Sequence, residues 1–226
     1  MSKANQVTEK SQDEMVVQKA KDFWTRYQKV ILIASTAIIL LAGGYLGYKN
    51  FYKLPAEKKA VDALYRAEEY YRMDSLQKAL NGDLASAGFL KIIDRYGGTK
   101  AANLARFYAG DCFIRLGNYA AAQKHLEKFK TESKPMQAAA YSLLGSVYAE
   151  QNKNDDAIRY YKKAAHHFPE DNENASLYLA LAAGLCEKTG KKNEAIELYK
   201  ELKEKYYQTT YGYEADKHLG KLGVYN

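Results

Sequence analysis

The chain has 226 residues, of which 47% are hydrophobic and 27% charged, with only 3 prolines and as many as 21 tyrosines. That composition is globular, and the scarcity of proline beside regular Ala, Leu and Tyr spacing favours helices over strands. The net charge of +7 suggests nucleic acid only until it is located: residues 1–59 hold ten Lys/Arg and five Asp/Glu, leaving 24 basic and 22 acidic residues for 60–226. The body is therefore close to neutral, and the excess lies beside an apolar run, where anionic headgroups of membrane lipid are the better partner. No zinc spacing or RNA-binding signature appears, so no nucleic-acid partner is expected.

Residues 1–14 are polar with mixed charge and no apolar period, and read as a disordered tail. A helical pattern begins at Met15, with Val16, Ala20, Phe23, Trp24 and Tyr27 on one side. Between Lys29 and Lys49 the chain carries no charge. That run, residues 30–48, is close to the about 20 residues that a bilayer-spanning helix needs. Trp24 and Tyr27 flank one end, and Tyr45, Tyr48, Phe51 and Tyr52 the other, as expected of aromatic rings at two membrane interfaces. A cleaved leader is disfavoured by the long acidic-residue-bearing segment ahead of the run. Charge does not orient the span: Lys10, Lys19, Lys21, Arg26 and Lys29 precede it, and Lys49, Lys53, Lys58, Lys59 and Arg66 follow. Gly43 and Gly47 sit four apart near its end, a spacing that lets another membrane helix approach closely.

Beyond the span, Pro55 suits the first turn of a helix. The pattern predicts a helix from about Pro55 to Met73, a turn-like insertion over Asp74–Asp83, and a second helix over Leu84–Tyr96. Further on, Gly110 and Phe113 mark a first helix, Gly117-Asn118-Tyr119 a turn, and Ala122, Leu126 and Phe129 a second helix. The clearest pair follows, AAAYSLLGSVYAEQNKNDDAIRYYKKAAHHFPED over 138–171. Its small residues, Gly145 and Ala157, fall where two helices would cross closely, and Tyr148 and Tyr161 fill the space beside them. Pro169 ends the second helix. Gly145 lies 35 residues after Gly110, and Ala183 lies 38 after Gly145. A last pair carries Leu179, Ala182, Ala183 and Cys186, then Gly190, then Ala195, Tyr199 and Leu202. Residues 213–222 read as a terminal capping helix.

This period and pattern of small and large positions match the tetratricopeptide repeat, a helix–turn–helix unit of about 34 residues. The expected architecture is all-α: a tail over 1–29, a transmembrane helix over 30–48, and a repeat domain over 49–226. Repeats fall at about 56–98, 103–136, 138–171 and 176–209, with a cap over 212–223. One pair cannot bury its own apolar face, so the pairs stack into a solenoid.

The chemistry-bearing residues are sparse. His125, His166, His167 and His218 do not form a ligand set, and no Cys/His or carboxylate cluster has metal spacing. They read as solvated positions near helix ends. No phosphate loop or nucleophile elbow is present. Neither an enzyme nor a cofactor is expected. Cys112 and Cys186 fall on first helices of different repeats and read as small buried hydrophobes. Asp155-Asp156 and Glu170-Asp171 are placed to accept backbone donors at helix starts.

The segments QKAKDFWTRYQKV, the span with YKNFYK, and NGDLASAGFLKIIDRYGGTKAANLARFYAG together resemble the ancillary SecYEG translocon subunit (YfgM-like) family. That resemblance implies a bacterial inner (cytoplasmic) membrane location with the N-terminus inside and the repeat domain in the periplasm. It also implies association with the protein export channel and periplasmic folding factors. In tetratricopeptide domains the groove is lined by alternate first-helix positions. Carried over, these are Leu104, Phe107, Asp111 and Ile114; Ala139, Ser142, Ser146 and Ala149; and Leu177, Ala180, Gly184 and Glu187. Their small, mildly apolar character suits an unfolded or amphipathic polypeptide segment. A scaffold subunit of a larger envelope complex, without client binding, is the alternative.

Overall fold

The computed structural model describes the backbone of residues 2–225, with side chains from Glu14 onward. The chain divides into two units, Met1–Pro55 and Ala56–Asn226. In the first, helix α1 runs over Ser2–Gly47. It begins earlier than the sequence pattern suggested, through the stretch read as disordered, because residues 2–42 contain neither glycine nor proline and are rich in Ala, Gln, Lys and Glu. Its apolar stretch is long and apolar enough to cross a membrane. The large side chains there, Ile33, Leu40 and Leu41 among them, are exposed rather than packed against protein. Phe23 and Tyr27 lie with ring centroids 4.9 Å apart ahead of that stretch. A π-helical turn, Tyr48–Lys53, follows α1, and Tyr48 stacks on Tyr52 there.

The second unit is an antiparallel helix stack. Its elements are α2 (Leu54–Arg72), α3 (Leu76–Asn81), α4 (Phe89–Arg95), α5 (Lys100–Arg115), α6 (Tyr119–Leu126), α7 (Lys134–Glu150), α8 (Asn154–His167), α9 (Asn172–Lys188), α10 (Lys192–Lys205) and α11 (Thr210–Lys221). No strand occurs among the described residues. Pairs α5/α6, α7/α8 and α9/α10 are helix hairpins, and each second helix also packs on the next first helix. Small residues set the crossings. A Cβ on Gly110 would lie 2.5 Å from Leu126, and one on Gly145 would lie 2.6 Å from the Tyr161 ring.

One turn recurs along the stack. Asp74, Gly117, Asn152, Gly190 and Gly223 all have positive φ. After each, the next residue's N–H reaches back to a carbonyl five residues earlier: Ser75 to Tyr70, Asn118 to Phe113, Lys153 to Tyr148, Lys191 to Cys186, Val224 to Leu219. This left-handed closure satisfies the last helical carbonyls and reverses the chain. It terminates α2, α5, α7 and α9, so α11, which ends the same way, is a fifth first helix. Entry to α11 also copies entry to α5. Thr99 and Thr209 are buried, each bonds back to the carbonyl of the tyrosine three residues before, and each caps a backbone N–H three residues on.

The first pair departs from the sequence pattern. Leu76–Asn81 is helical where a turn was expected, and residues 84–88 form a loop where a helix was expected. Gly82, at φ 76°, ends α3, and Asp83 accepts the N–H groups of Ala85 and Ser86. That side-chain turn competes with helix and delays α4 to Phe89. Leu84 is left fully exposed at the loop tip. Phe129 differs too: α6 stops at Leu126, and Phe129 is a buried plug in the loop that follows.

Two apolar clusters make up the core. One joins α2, α3, α4 and α5; the other runs from α6 to α11, and Phe113 packs against both. Glu57 on α2 ties the first pair to the second, its carboxylate accepting the N–H groups of Lys100 at 2.8 Å and Ala101 at 2.9 Å. Those are free donors at the start of α5, where negative charge is favoured.

Cys112 and Cys186 are free and buried. Burial pushes the Cys112 thiol up to about 12 and the Cys186 thiol up to about 11. Since the thiolate is the nucleophile, alkylation at pH 8 should run at least about 100-fold slower in the native protein than in denaturant. Labelling of either thiol at the denatured rate would contradict this packing.

Candidate functional site

The first helices α5, α7 and α9 carry a strip of partly exposed residues at spacings of three and four. It comprises Leu104, Phe107, Asp111 and Ile114, then Ala139, Ser142, Ser146 and Ala149, then Leu177, Ala180, Gly184 and Glu187. None of these side chains is fully buried, whereas their helix neighbours Ala105, Ala109, Leu144, Val147, Leu179 and Ala183 are. The strip therefore lies at the edge of the buried face, as the 3.6-residue period requires.

Three of its polar members, Asp111, Ser146 and Glu187, are already engaged. Asp111 accepts the Tyr71 hydroxyl at 2.7 Å and faces Arg115, which also pairs with Asp74. Burial, and then the bond to Asp111, push the Tyr71 phenol up. Ser146 accepts the Tyr161 hydroxyl at 3.1 Å and donates to the Ser142 carbonyl. Glu187 accepts from the Tyr199 hydroxyl at 3.0 Å and pairs with His218 Nδ1 at 3.1 Å. Burial works against Glu187 ionising, but the bonds from His218 and Tyr199 outweigh it and hold the carboxyl below its ordinary range. What remains to meet a ligand is the Ser142 hydroxyl and an otherwise apolar set: Leu104, Phe107, Ile114, Ala139, Ala149, Leu177, Ala180 and Gly184.

Two recesses open along this strip. One, of about 600 Å³, lies between Leu104 on α5, the Phe129–Glu132 loop and Met136 on α7. Asn103 holds its wall, donating to the Lys130 carbonyl at 2.8 Å. The other, of about 260 Å³, lies between Leu177, Ala180, Leu181 and Gly184 on α9 and Tyr211, Glu214 and His218 on α11. A Cβ on Gly184 would meet nothing within 4 Å. The sequence pattern placed Leu104, Leu177, Ala180 and Gly184 on this surface. It missed Asn103, Phe129, Met136 and Tyr211, since only the folded loop and the fifth first helix bring them there.

His125 and His218 are less solvated than their helix-end positions suggested, while His166 is exposed. His166 pairs with Glu201 at 3.0 Å, linking α8 to α10. His218 also stacks on Tyr199, with centroids 4.5 Å apart. His125 stacks on Phe113, and its buried Nδ1 has no partner among the described residues. Burial, with Arg106, Lys124 and Lys128 nearby, pulls its pKa down. Asp171 caps α9 as expected, accepting from Asn174 N–H, while Asp155 instead reaches Lys191.

A tetratricopeptide repeat-like domain model matches residues 21–168, well over half of the chain. The chain belongs to the tetratricopeptide repeat-like family. A second model, the tetratricopeptide repeat itself, matches residues 142–207, which takes in most of α7 and all of α8 and α9 with α10. No curated protein matches the chain. Tetratricopeptide domains are protein-binding scaffolds, typically non-catalytic, so membership indicates a role in protein–protein interaction. The geometry suits that role, since the strip offers apolar area and backbone-defined shape rather than unpaired charge.

Proposed function

We propose that the protein is a membrane-anchored adaptor whose first-helix groove accepts an apolar or amphipathic polypeptide segment. The observation that carries this reading is the disposition of the strip's polar groups. Asp111, Ser146 and Glu187 are spent on Tyr71, Tyr161, Tyr199 and His218. The exposed remainder, Ser142 apart, is an apolar track with two recesses. Apolar helical segments bind such tracks by inserting side chains at helical spacing.

The α1 apolar stretch is the anchor in this reading, and Gly43 and Gly47, with open space around them, are where another membrane helix approaches. The resemblance noted above is what supports a bacterial cytoplasmic membrane location, N-terminus inside and repeat domain in the periplasm. It also supports the protein export channel and periplasmic folding factors as partners. Anchoring raises the local concentration of the groove, so weak binding suffices.

Photoreactive side chains at Phe107, Ser142 and Ala180 test the reading, with Lys200, exposed on the second helix α10, as control. Crosslinks to translocating chains or folding factors from the three groove positions, and none from Lys200, are expected. Capture from Lys200 alone would overturn it.

A further inference from the structure

The second helices α8 and α10 end in cations, as the negative end of a helix dipole favours. Acids stand beside those cations: His166 and Lys205 share Glu201, and Lys203 pairs with Asp216. Helix α6 ends differently. Lys124 and His125 occupy its last turn, and Lys128 lies in the turn that closes it, with its N–H on the His125 carbonyl. Arg106 of α5 comes up beside them, passing 3.9 Å from where a Cβ on Gly97 would sit. Lys124 and Lys128 are exposed, and Arg106 is half-buried. Among the described residues, none of the three cations has an ion-pair partner.

His125 lacks an acid as well. His166 has Glu201 and His218 has Glu187, but the buried Nδ1 of His125 has no partner among the described residues. The charged groups that act on its ring are Arg106, Lys124 and Lys128, all cations. Acids elsewhere on this side of the hairpin do not compensate. Glu127 is turned toward α7, where it accepts the Tyr148 hydroxyl at 3.0 Å. Asp94 on α4, which also packs on α5, makes no ion pair, and Lys91 and Arg95 on that helix add two more cations. With α4 included, five cations stand against two acids. Lys130 and Glu132, further along the loop, line the recess at Leu104 instead. Cations gathered without acid repel one another, so the cluster costs the fold stability rather than adding to it. An anionic partner reverses that sign.

We propose that Arg106, Lys124 and Lys128 form a docking surface for an acidic polypeptide segment, separate from the first-helix groove. The planar fork of Arg106 takes one carboxylate through two parallel N–H bonds. Lys124 and Lys128, about one helical turn apart, take carboxylates to either side of it. A half-buried guanidinium favours side chains that reach in over the flat plane of lipid headgroups.

The test uses full-length protein in nanodiscs of neutral phospholipid, with a short fluorescent peptide of alternating Glu and Ala read by anisotropy. Binding should weaken steeply as salt is added. Lys124→Glu combined with Lys128→Glu should lower affinity at least about tenfold, and Arg106→Gln about tenfold. Lys192→Glu combined with Lys200→Glu changes the net charge equally at exposed positions on α10, and should stay within about threefold of wild type. Lys124→Glu alone should leave the melting temperature unchanged or raise it, since it removes repulsion. Four results would overturn the proposal. One is no binding of the peptide at low salt. Another is equal loss in the two double variants, which would mean that net charge alone attracts the peptide. A third is a melting temperature lowered by Lys124→Glu, which would give the cations a structural role. The last is capture of added anionic phospholipid vesicles through Lys124 and Lys128 without capture of the peptide, which would assign the surface to a membrane.

Discussion

Gly145→Leu is expected to destabilise the repeat domain by about 3 kcal/mol, because overpacking a close crossing forces rotamer and backbone shifts. The Tyr161 ring lies 2.6 Å from where the first added atom would go. That ring cannot swing away freely. It is 6% exposed, and its hydroxyl is bonded to Ser146. Helices α7 and α8 must therefore separate, and the core from α6 to α11 runs through them. Gly184→Leu is the matched control, on the first helix of the next repeat but in open space. It should leave stability unchanged or raise it slightly, since leucine is the better helix former by about 1 kcal/mol. It should also fill the recess beside Tyr211 and weaken crosslinking from Ala180. Denaturant midpoints of the two variants decide the matter. Equal midpoints would contradict a close α7/α8 crossing at Gly145.

Phe129→Ala should cost about 3–5 kcal/mol, the usual range for emptying a buried phenylalanine site. Phe129 belongs to no helix, yet it is 2% exposed and its ring lies 5.3 Å from that of Phe107. It plugs the gap that α6 leaves by stopping at Leu126. Neighbouring support there is thin, for the loop is held by Asn103 on Lys130 and by Gln137 on Thr131. Amide exchange should accordingly accelerate first at the start of α7 and in the first half of α5. Phe129→Leu should recover more than half of the loss. A cost below about 1 kcal/mol for the alanine variant would show that the site collapses and that the plug matters little.

Much of the fold was legible in the residues because the signals were local. The helical period, the small residues Gly110, Gly145 and Ala183, and the turns at Gly117 and Gly190 each follow from the conformational or steric needs of one position. The half-exposed placement of the first-helix strip was legible for the same reason: once a helix and its buried face are known, the edge follows from periodicity. The lining of the recesses was not legible. Phe129 continues the spacing of Ala122 and Leu126, and nothing in that spacing reveals that α6 ends three residues earlier, at Leu126. Asp83 follows Asn81-Gly82, and its local bonds to Ala85 and Ser86, with the Tyr70 hydroxyl donating to it at 2.6 Å, hold a turn where Leu84, Ala85 and Ala87 favour helix.

By itself, then, the amino-acid order determined an uncharged membrane-length stretch followed by paired helices with close crossings, because period and side-chain size act over a few residues. Only the tertiary structure decided that α11 ends like a first helix, through Gly223 and the return bond from Val224 to Leu219, and so walls a recess against α9. It also decided that Asp111, Ser146 and Glu187 are consumed by tyrosine and histidine partners as far as 40 residues away in the chain. Such pairings depend on which surfaces meet after stacking, and no short-range pattern encodes that.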